Sequence, residues 1–208
     1  MSIEFWKPEE IERESFRRIT EELGDRTFPV GIDLVVKRVI HTTADFSFAD
    51  TLLFSEDVVE KGKEAIRRGA CVVTDTNMAL AGINKRRLAK FGAAARCFMA
   101  EADVVAEARE RGVTRAAISM ERAAALVAAR PLILAVGNAP TALIKIKELV
   151  DAGMMEPALL IGVPVGFVNV VEAKELFVGS SIPHIIARGQ KGGSTVAAAI
   201  VNAILYQI

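Results

Sequence analysis

Pro131-Leu132-Ile133-Leu134-Ala135-Val136-Gly137-Asn138-Ala139-Pro140-Thr141 is the stretch that decides how this chain folds. Its apolar run is too short for a helix and stops at a glycine, and Pro140 then stands where the first turn of a helix tolerates a missing N–H. The segment reads as a strand turning directly into a helix. Four further apolar runs, 70–74, 95–99, 158–163 and 182–187, have the same character, and the gaps between runs are long enough to hold helices. That spacing predicts parallel strands joined by helical crossovers. The predicted helices cover 57–68, 84–91, 101–129 with a break at Gly112, 140–152, 168–177 and 194–205. Upstream, Pro8 and the acidic residues after it open a helix that Gly24 ends, with Ile11, Ser15, Ile19 and Leu23 at four-residue steps. A second helix, 32–40, runs up to His41 and is stopped by Thr42-Thr43-Ala44-Asp45. The expectation is an α/β fold: a three-layer α/β/α arrangement with a mainly parallel sheet. Residues 1–208 form a single domain in which 1–45 are a helical N-terminal arm and 46–208 the α/β core.

Composition narrows the partners. Of 208 residues, 51% are hydrophobic and 25% charged, with 26 Lys+Arg against 26 Asp+Glu, so the basic excess that drives nucleic-acid binding is missing. A neutral chain this apolar suits a homo-oligomer. Two histidines, His41 and His184, and two cysteines without CxxC spacing supply a nitrogen and sulfur metal site poorly, and no metal is expected. Cys71 and Cys97 each fall in a strand-like run and are expected to be buried free thiols of a reducing compartment. The longest charge-free runs, 157–171 and 192–208, fall short of the ~20 apolar residues that span a bilayer. Glu4, Lys7, Glu9 and Glu10 do not suit a signal peptide. A cytoplasmic protein with no membrane association is expected.

In parallel sheets ligands bind outside the carboxyl ends of the strands, so the loops there carry the chemistry. They are Thr74-Asp75-Thr76-Asn77, Gly137-Asn138-Ala139-Pro140-Thr141, Gly162-Val163-Pro164-Val165-Gly166 and Gly189-Gln190-Lys191-Gly192-Gly193-Ser194-Thr195. The last sets free backbone N–H groups and Lys191 at the start of a helix, which suits an anion; it reads equally as a flexible turn capped by Ser194. It is not a Walker loop, because Lys191 precedes the glycine pair, and no GxGxxG dinucleotide fingerprint occurs in the chain. The 137–141 segment serves as well for a plain βα turn as for a ligand loop. Lys85-Arg86-Arg87 with Lys90 reads as a solvated helix face. His41 is either a structural residue at a helix end or a general acid and base, since an imidazole exchanges protons near neutrality.

Taken together, Arg38-Val39-Ile40-His41-Thr42-Thr43-Ala44-Asp45-Phe46, then Thr74-Asp75-Thr76-Asn77-Met78, then residues 137–143 and 162–167, then Lys191-Gly192-Gly193-Ser194, carry a resemblance. In this order over residues 8–208 the chain resembles the precorrin-8X methylmutase family of cobalamin biosynthesis, which includes cobalt-precorrin-8 methylmutases. The resemblance implies an isomerase that moves a methyl group on ring C of precorrin-8X, or of cobalt-precorrin-8, from carbon eleven to carbon twelve, giving hydrogenobyrinate or cobyrinate. The family reaction is a 1,5-sigmatropic shift, which needs no cofactor. It implies His41 as the catalytic acid and base, and Ser15, Arg38, Arg115, Thr42, Lys191, Gly192 and Ser194 as substrate contacts. It also implies a homodimer with a corrinoid tetrapyrrole as partner. Arginines suit this substrate, because each clamps a carboxylate through two charge-assisted bonds. The chain departs from the family pattern at His184, where a tyrosine is usual, and at Gln190, where an arginine is usual. His184 reads as a packed strand residue or as a second imidazole able to act in place of His41. The flank of His41 and the compact length resemble the cobalt-dependent branch. A non-catalytic corrinoid carrier would use the same cleft without chemistry.

Overall fold

The computed structural model describes residues 5–208, and residues 1–4, with the Glu4 of the terminal charge pattern, lie outside the described residues. In chain order the elements are α1 (Pro8–Leu23), α2 (Ile32–Thr43), α3 (Phe48–Thr51), β1 (Leu52–Phe54), α4 (Val58–Arg67), β2 (Cys71–Thr74), α5 (Asn77–Gly82), α6 (Lys85–Ala89) and β3 (Ala94–Arg96). There follow α7 (Ala102–Arg111), α8 (Arg115–Ala124), β4 (Leu132–Val136), α9 (Pro140–Asp151), β5 (Leu159–Gly162), α10 (Val170–Glu175), β6 (His184–Ala187) and α11 (Ser194–Leu205). The strands form one sheet in the order β1-β6-β5-β4-β2-β3. All neighbours are parallel except β1, which pairs antiparallel with β6 through Leu52 and Ala187.

Alternation along the strands divides the core into two layers. Val72, Ile133, Ala135, Leu159, Ile161 and Ile185 pack with α1, α2, α4 and α11, whereas Cys71, Val73, Leu132, Leu134, Val136, Leu160 and Ile186 pack with α7, α8, α9 and α10. Strands buried on both faces need continuous apolar runs, which is why β4 reads Leu-Ile-Leu-Ala-Val with every residue covered. The last helix is apolar almost all round for the same reason: α11 lies against the sheet with α2 and α5 on its other sides. The N-terminal arm is therefore docked, since Val35, Val36, Val39 and Ile40 of α2 belong to the same core as the sheet.

Several expected boundaries move. The sequence reading has no β1, a three-residue edge strand too short to show periodicity, and no α5. β3 is Ala94–Arg96 instead of 95–99; it is an edge strand with an exposed ladder side, and the chain leaves it before Phe98. Cys97 accordingly lies just past the strand and is half-buried, while Cys71 is buried in β2 as expected; both are free thiols. The expected break at Gly112 is present, its φ of 63° ending α7, whereas α8 stops at Ala124 instead of continuing to 129. α2 continues through His41 to Thr43, where Ala44 at φ 53° closes it by donating its N–H to Ile40 O. Arg87 is no solvated cation: it donates to the carbonyls of Leu205 and Ile208 and lies over the Tyr206 ring, holding the C-terminus.

The turn after β4 lies against the start of α11, and a Cβ on Gly137 would stand 2.7 Å from Ser194 Cα and 2.8 Å from Gly193 O. Gly137→Ala is expected to lower stability by about 1–3 kcal/mol in urea unfolding, because both opposing atoms are backbone. An unchanged midpoint would show that this contact is free to open.

Candidate active site

The strand order reverses between β2 and β4: β3 lies on one side of β2, and β4 starts the outward run on the other. Such a switch point opens a crevice at the carboxyl ends. Asp75 directly follows β2 at this point. This buried carboxylate accepts the backbone N–H groups of Gly137 at 2.9 Å, Asn138 at 2.8 Å and Ala139 at 2.7 Å, holding the β4–α9 turn against β2. Burial pushes the Asp75 carboxyl above the ordinary value, and the three N–H donors act against that shift. Next to it, the Thr76 hydroxyl accepts the Ala79 N–H and shares a 2.8 Å hydrogen bond with Ser194 Oγ. Of the two readings of this loop, the turn capped by Ser194 is not what forms, since no side chain caps α11. Ser194 is the first residue of α11 and ties that helix to the loop after β2 instead.

The 189–195 loop is anchored on two sides. Gly193 N–H donates to Val163 O at 2.8 Å, and a Cβ on Gly192 would stand 2.1 Å from that same oxygen, so only glycine fits there. Beneath the loop lies Lys174 of α10, fully buried, its Nζ donating to Gly189 O at 2.7 Å and Lys191 O at 2.9 Å. Burial pushes the Lys174 amine down to about 8. The side chain of Lys191 reaches the other way, to Asp45 Oδ2 at 2.6 Å and Ser47 Oγ at 2.9 Å. Hydrogen bonding from Lys191 holds the Asp45 carboxyl down at about 2, helped by the Ser47 hydroxyl.

That ion pair joins the loop to the end of α2, which carries His41. The imidazole is exposed in the last turn, with its ring centroid 5.5 Å from that of Phe16 on α1. One turn earlier Arg38 pairs with Glu12 and lies over both Phe16, at 5.2 Å, and Tyr206, at 4.8 Å. Ser15, beside Phe16, is half-buried and donates to Ile11 O at 2.8 Å; Thr42 is exposed. The structure thus gathers Ser15, Arg38, His41 and Thr42 on the α1–α2 pair and links them through Asp45 to Lys191. Arg115 stands elsewhere. It begins α8, donates to Met99 O at 3.3 Å, and lines a cavity of about 600 Å³ with Arg109, Asn138, Pro140 and Thr141, which includes none of the arm residues. A larger cavity of about 800 Å³ lies at the opposite, amino ends of the strands, near Arg130, Pro157 and Pro183, away from all of these residues.

His184 is buried in β6, its ring Nδ1 within 2.8 Å of Ile182 O and its backbone N–H donating to Ser55 Oγ, the packed arrangement rather than a second exposed imidazole. Gln190 is exposed and its carbonyl accepts from Gly166. The sequence reading missed two residues of this site. The signal for Asp75 is an acid directly after a buried strand; Lys174 carries no such mark, since one lysine in a short amphipathic helix is ordinary. Among the described residues, no helix is long and apolar enough to cross a membrane, and no group of three or more His, Cys, Asp or Glu is placed to hold a metal.

Asp75→Asn sets an amide donor against three N–H donors and is expected to cost about 1–3 kcal/mol in urea unfolding; an unchanged midpoint would contradict the anchoring role. For Asp45 the folded-state carboxyl lies at about 2 against an ordinary 3.8, so its contribution is full above about pH 4 and is lost as pH falls through 2. Acid-unfolding curves of the wild type and Asp45→Asn should therefore differ above pH 4 and converge near pH 2. A constant separation down to pH 2 would contradict the pairing.

Comparison with known proteins matches this arrangement to one family. The family model described as precorrin-8X methylmutase matches residues 10–207. The chain is 43% identical over 198 residues to a cobalt-precorrin-8 methylmutase of Priestia megaterium, covering 95% of this chain and 87% of that protein. It is also 43% identical over 207 residues to a cobalt-precorrin-8 methylmutase of Salmonella typhimurium, covering 97% and 96%. The crystal structure of precorrin-8X methylmutase from Thermus thermophilus superposes with a TM-score of 0.86 at 38% identity, covering 95% of this chain and 96% of that one. On this sequence match and this shared fold, the chain belongs to the precorrin-8X methylmutase family, enzymes of the isomerase class.

Proposed function

We propose that the chain moves the ring C methyl group of cobalt-precorrin-8, or of metal-free precorrin-8X, from carbon eleven to carbon twelve, with His41 as acid and base. The carbon–methyl bond breaks at one ring atom and forms at its neighbour through the electrons of the π-system, so no atoms are gained or lost. His41 lends a proton that polarises the ring and takes it back afterwards. The observation that carries this reading is the exposed imidazole on a fixed helix end, one turn from Arg38 and bridged through Asp45 to the glycine loop. Arg38 already holds a carboxylate, that of Glu12, and a substrate carboxylate would take the same place. Arg115, Ser15, Thr42, Lys191, Gly192 and Ser194 are the further proposed contacts. The cobalt form is favoured by the names of the relatives from Priestia megaterium and Salmonella typhimurium.

The enzyme is proposed to act in the cytoplasm as a homodimer. Phe167, 84% exposed, and Val168, 77% exposed, follow β5 beside exposed Val165, an apolar edge that a second copy would cover. Analytical ultracentrifugation tests this: Phe167→Glu with Val168→Glu should shift a dimer to monomer, and a wild type that sediments as a monomer would contradict it.

His41→Ala should abolish conversion of precorrin-8X, followed by its absorbance spectrum in a single turnover, while the corrin product still binds. Retained turnover would remove His41 from the mechanism, and a spectrum that shifts once on binding and then stops in the wild type would indicate a carrier. Arg38→Ala and Arg115→Ala should each weaken product binding by roughly 2–5 kcal/mol if a buried carboxylate loses its partner. Losses below about 0.5 kcal/mol at both positions would contradict their assignment.

A further inference from the structure

Lys174 has no place in the proposed chemistry, yet it is a fully buried lysine with no carboxylate partner among the described residues. Its ammonium group is satisfied by two carbonyls, those of Gly189 and Lys191, on alternate peptide units of one loop. In a planar trans peptide the carbonyl and the following N–H point in opposite directions. Drawing the Gly189 and Lys191 carbonyls inward to Lys174 therefore turns the N–H groups of Gln190 and Gly192 outward. Among the described residues neither N–H meets an acceptor. Gln190 and Lys191 are exposed and Gly192 half-buried, so the outward side of the loop is open.

The backbone of Gly192 is fixed independently. Its φ is 159°, a Cβ there would meet Val163 O, and the next residue's N–H donates to that same oxygen. The loop thus turns two N–H donors away from Lys174 on a rigid support, backed by a positive charge that no acidic side chain among the described residues neutralises. Such a charge is costly to bury alone, and an anion a loop's thickness away offsets part of that cost. Outward N–H groups on alternate residues of a loop can converge on one anion, a carboxylate among them.

We infer that Lys174 is a positioning residue that aims the Gln190 and Gly192 N–H groups at one carboxylate of the bound corrinoid. This rests on the corrinoid reading of the site and adds the device that holds one acid group of the macrocycle. It also supplies donors where no arginine stands at position 190, since they are backbone groups and the Lys191 side chain is bound to Asp45.

The test compares cobyrinate, with free carboxylates, and its neutral methyl ester as ligands of the full-length protein. Lys174→Met, which keeps the length and apolar stem of the side chain, should weaken cobyrinate binding at least about tenfold and ester binding less than about twofold. A purely structural role would weaken both alike, and equal weakening or none overturns the proposal. A second measurement needs no variant: in the ¹⁵N-labelled wild type, the Gln190 and Gly192 amide resonances should shift downfield with cobyrinate and not with the ester, and identical responses to the two ligands overturn it. A wild type that binds neither form would overturn the corrinoid reading together with this one. A wild type that binds both while Lys174→Met changes neither affinity would overturn the role of Lys174 alone.

Discussion

A carboxylate and an ammonium, both withdrawn from water, hold together the end of the sheet at which the loops converge. Asp75 gathers three N–H groups of the β4–α9 turn, and Lys174 gathers two carbonyls of the turn before α11. Each is a charged side chain satisfied by main chain and not by an opposite charge. Loops have no repeating ladder to fix them, so a buried ion with several backbone partners supplies what strand pairing supplies elsewhere, because releasing one partner leaves the others strained or unsatisfied.

These two anchors are not independent of the helical arm. Ser194 shares its hydroxyl bond with Thr76, next in the chain to Asp75, and Lys191 spans from the Lys174-held loop to Asp45 at the foot of α2. The last turn of α2 therefore has a fixed relation to the carboxyl ends of β2, β4 and β5, and that turn carries His41. The same helix is locked into the core by Val35, Val36, Val39 and Ile40. An exposed imidazole on such a support keeps its side-chain freedom while its backbone is held, which suits the proposed role of His41 as acid and base.

The central strands were legible because burial on both faces writes itself as unbroken apolar runs, as in Leu132–Val136. β1 was not, since three residues paired at an edge leave no period to read, and β3 shifted because its edge position relaxes the demand for apolar side chains. At the carboxyl ends of the strands, glycines marked the loops where backbone segments meet: Gly137 and Gly192 are both required by close backbone approaches. What holds those loops was hidden. The partners of Asp75 lie more than sixty residues away, and those of Lys174 lie in a different turn. Side-chain to main-chain bonds of this range leave no spacing in a single sequence. The proposed roles of His41, Arg38 and Arg115 came from family likeness, and the fold alone marks the first two only as neighbours of the Phe16 ring.

A structure of the protein bound to the corrin product of the proposed reaction decides whether His41 meets ring C. The account predicts a His41 ring nitrogen within about 3 Å of an atom of ring C, or of one ordered water bridging to it, on the side where the methyl group migrates. A complex in which ring C lies against another part of the protein, with His41 turned to solvent, would contradict it.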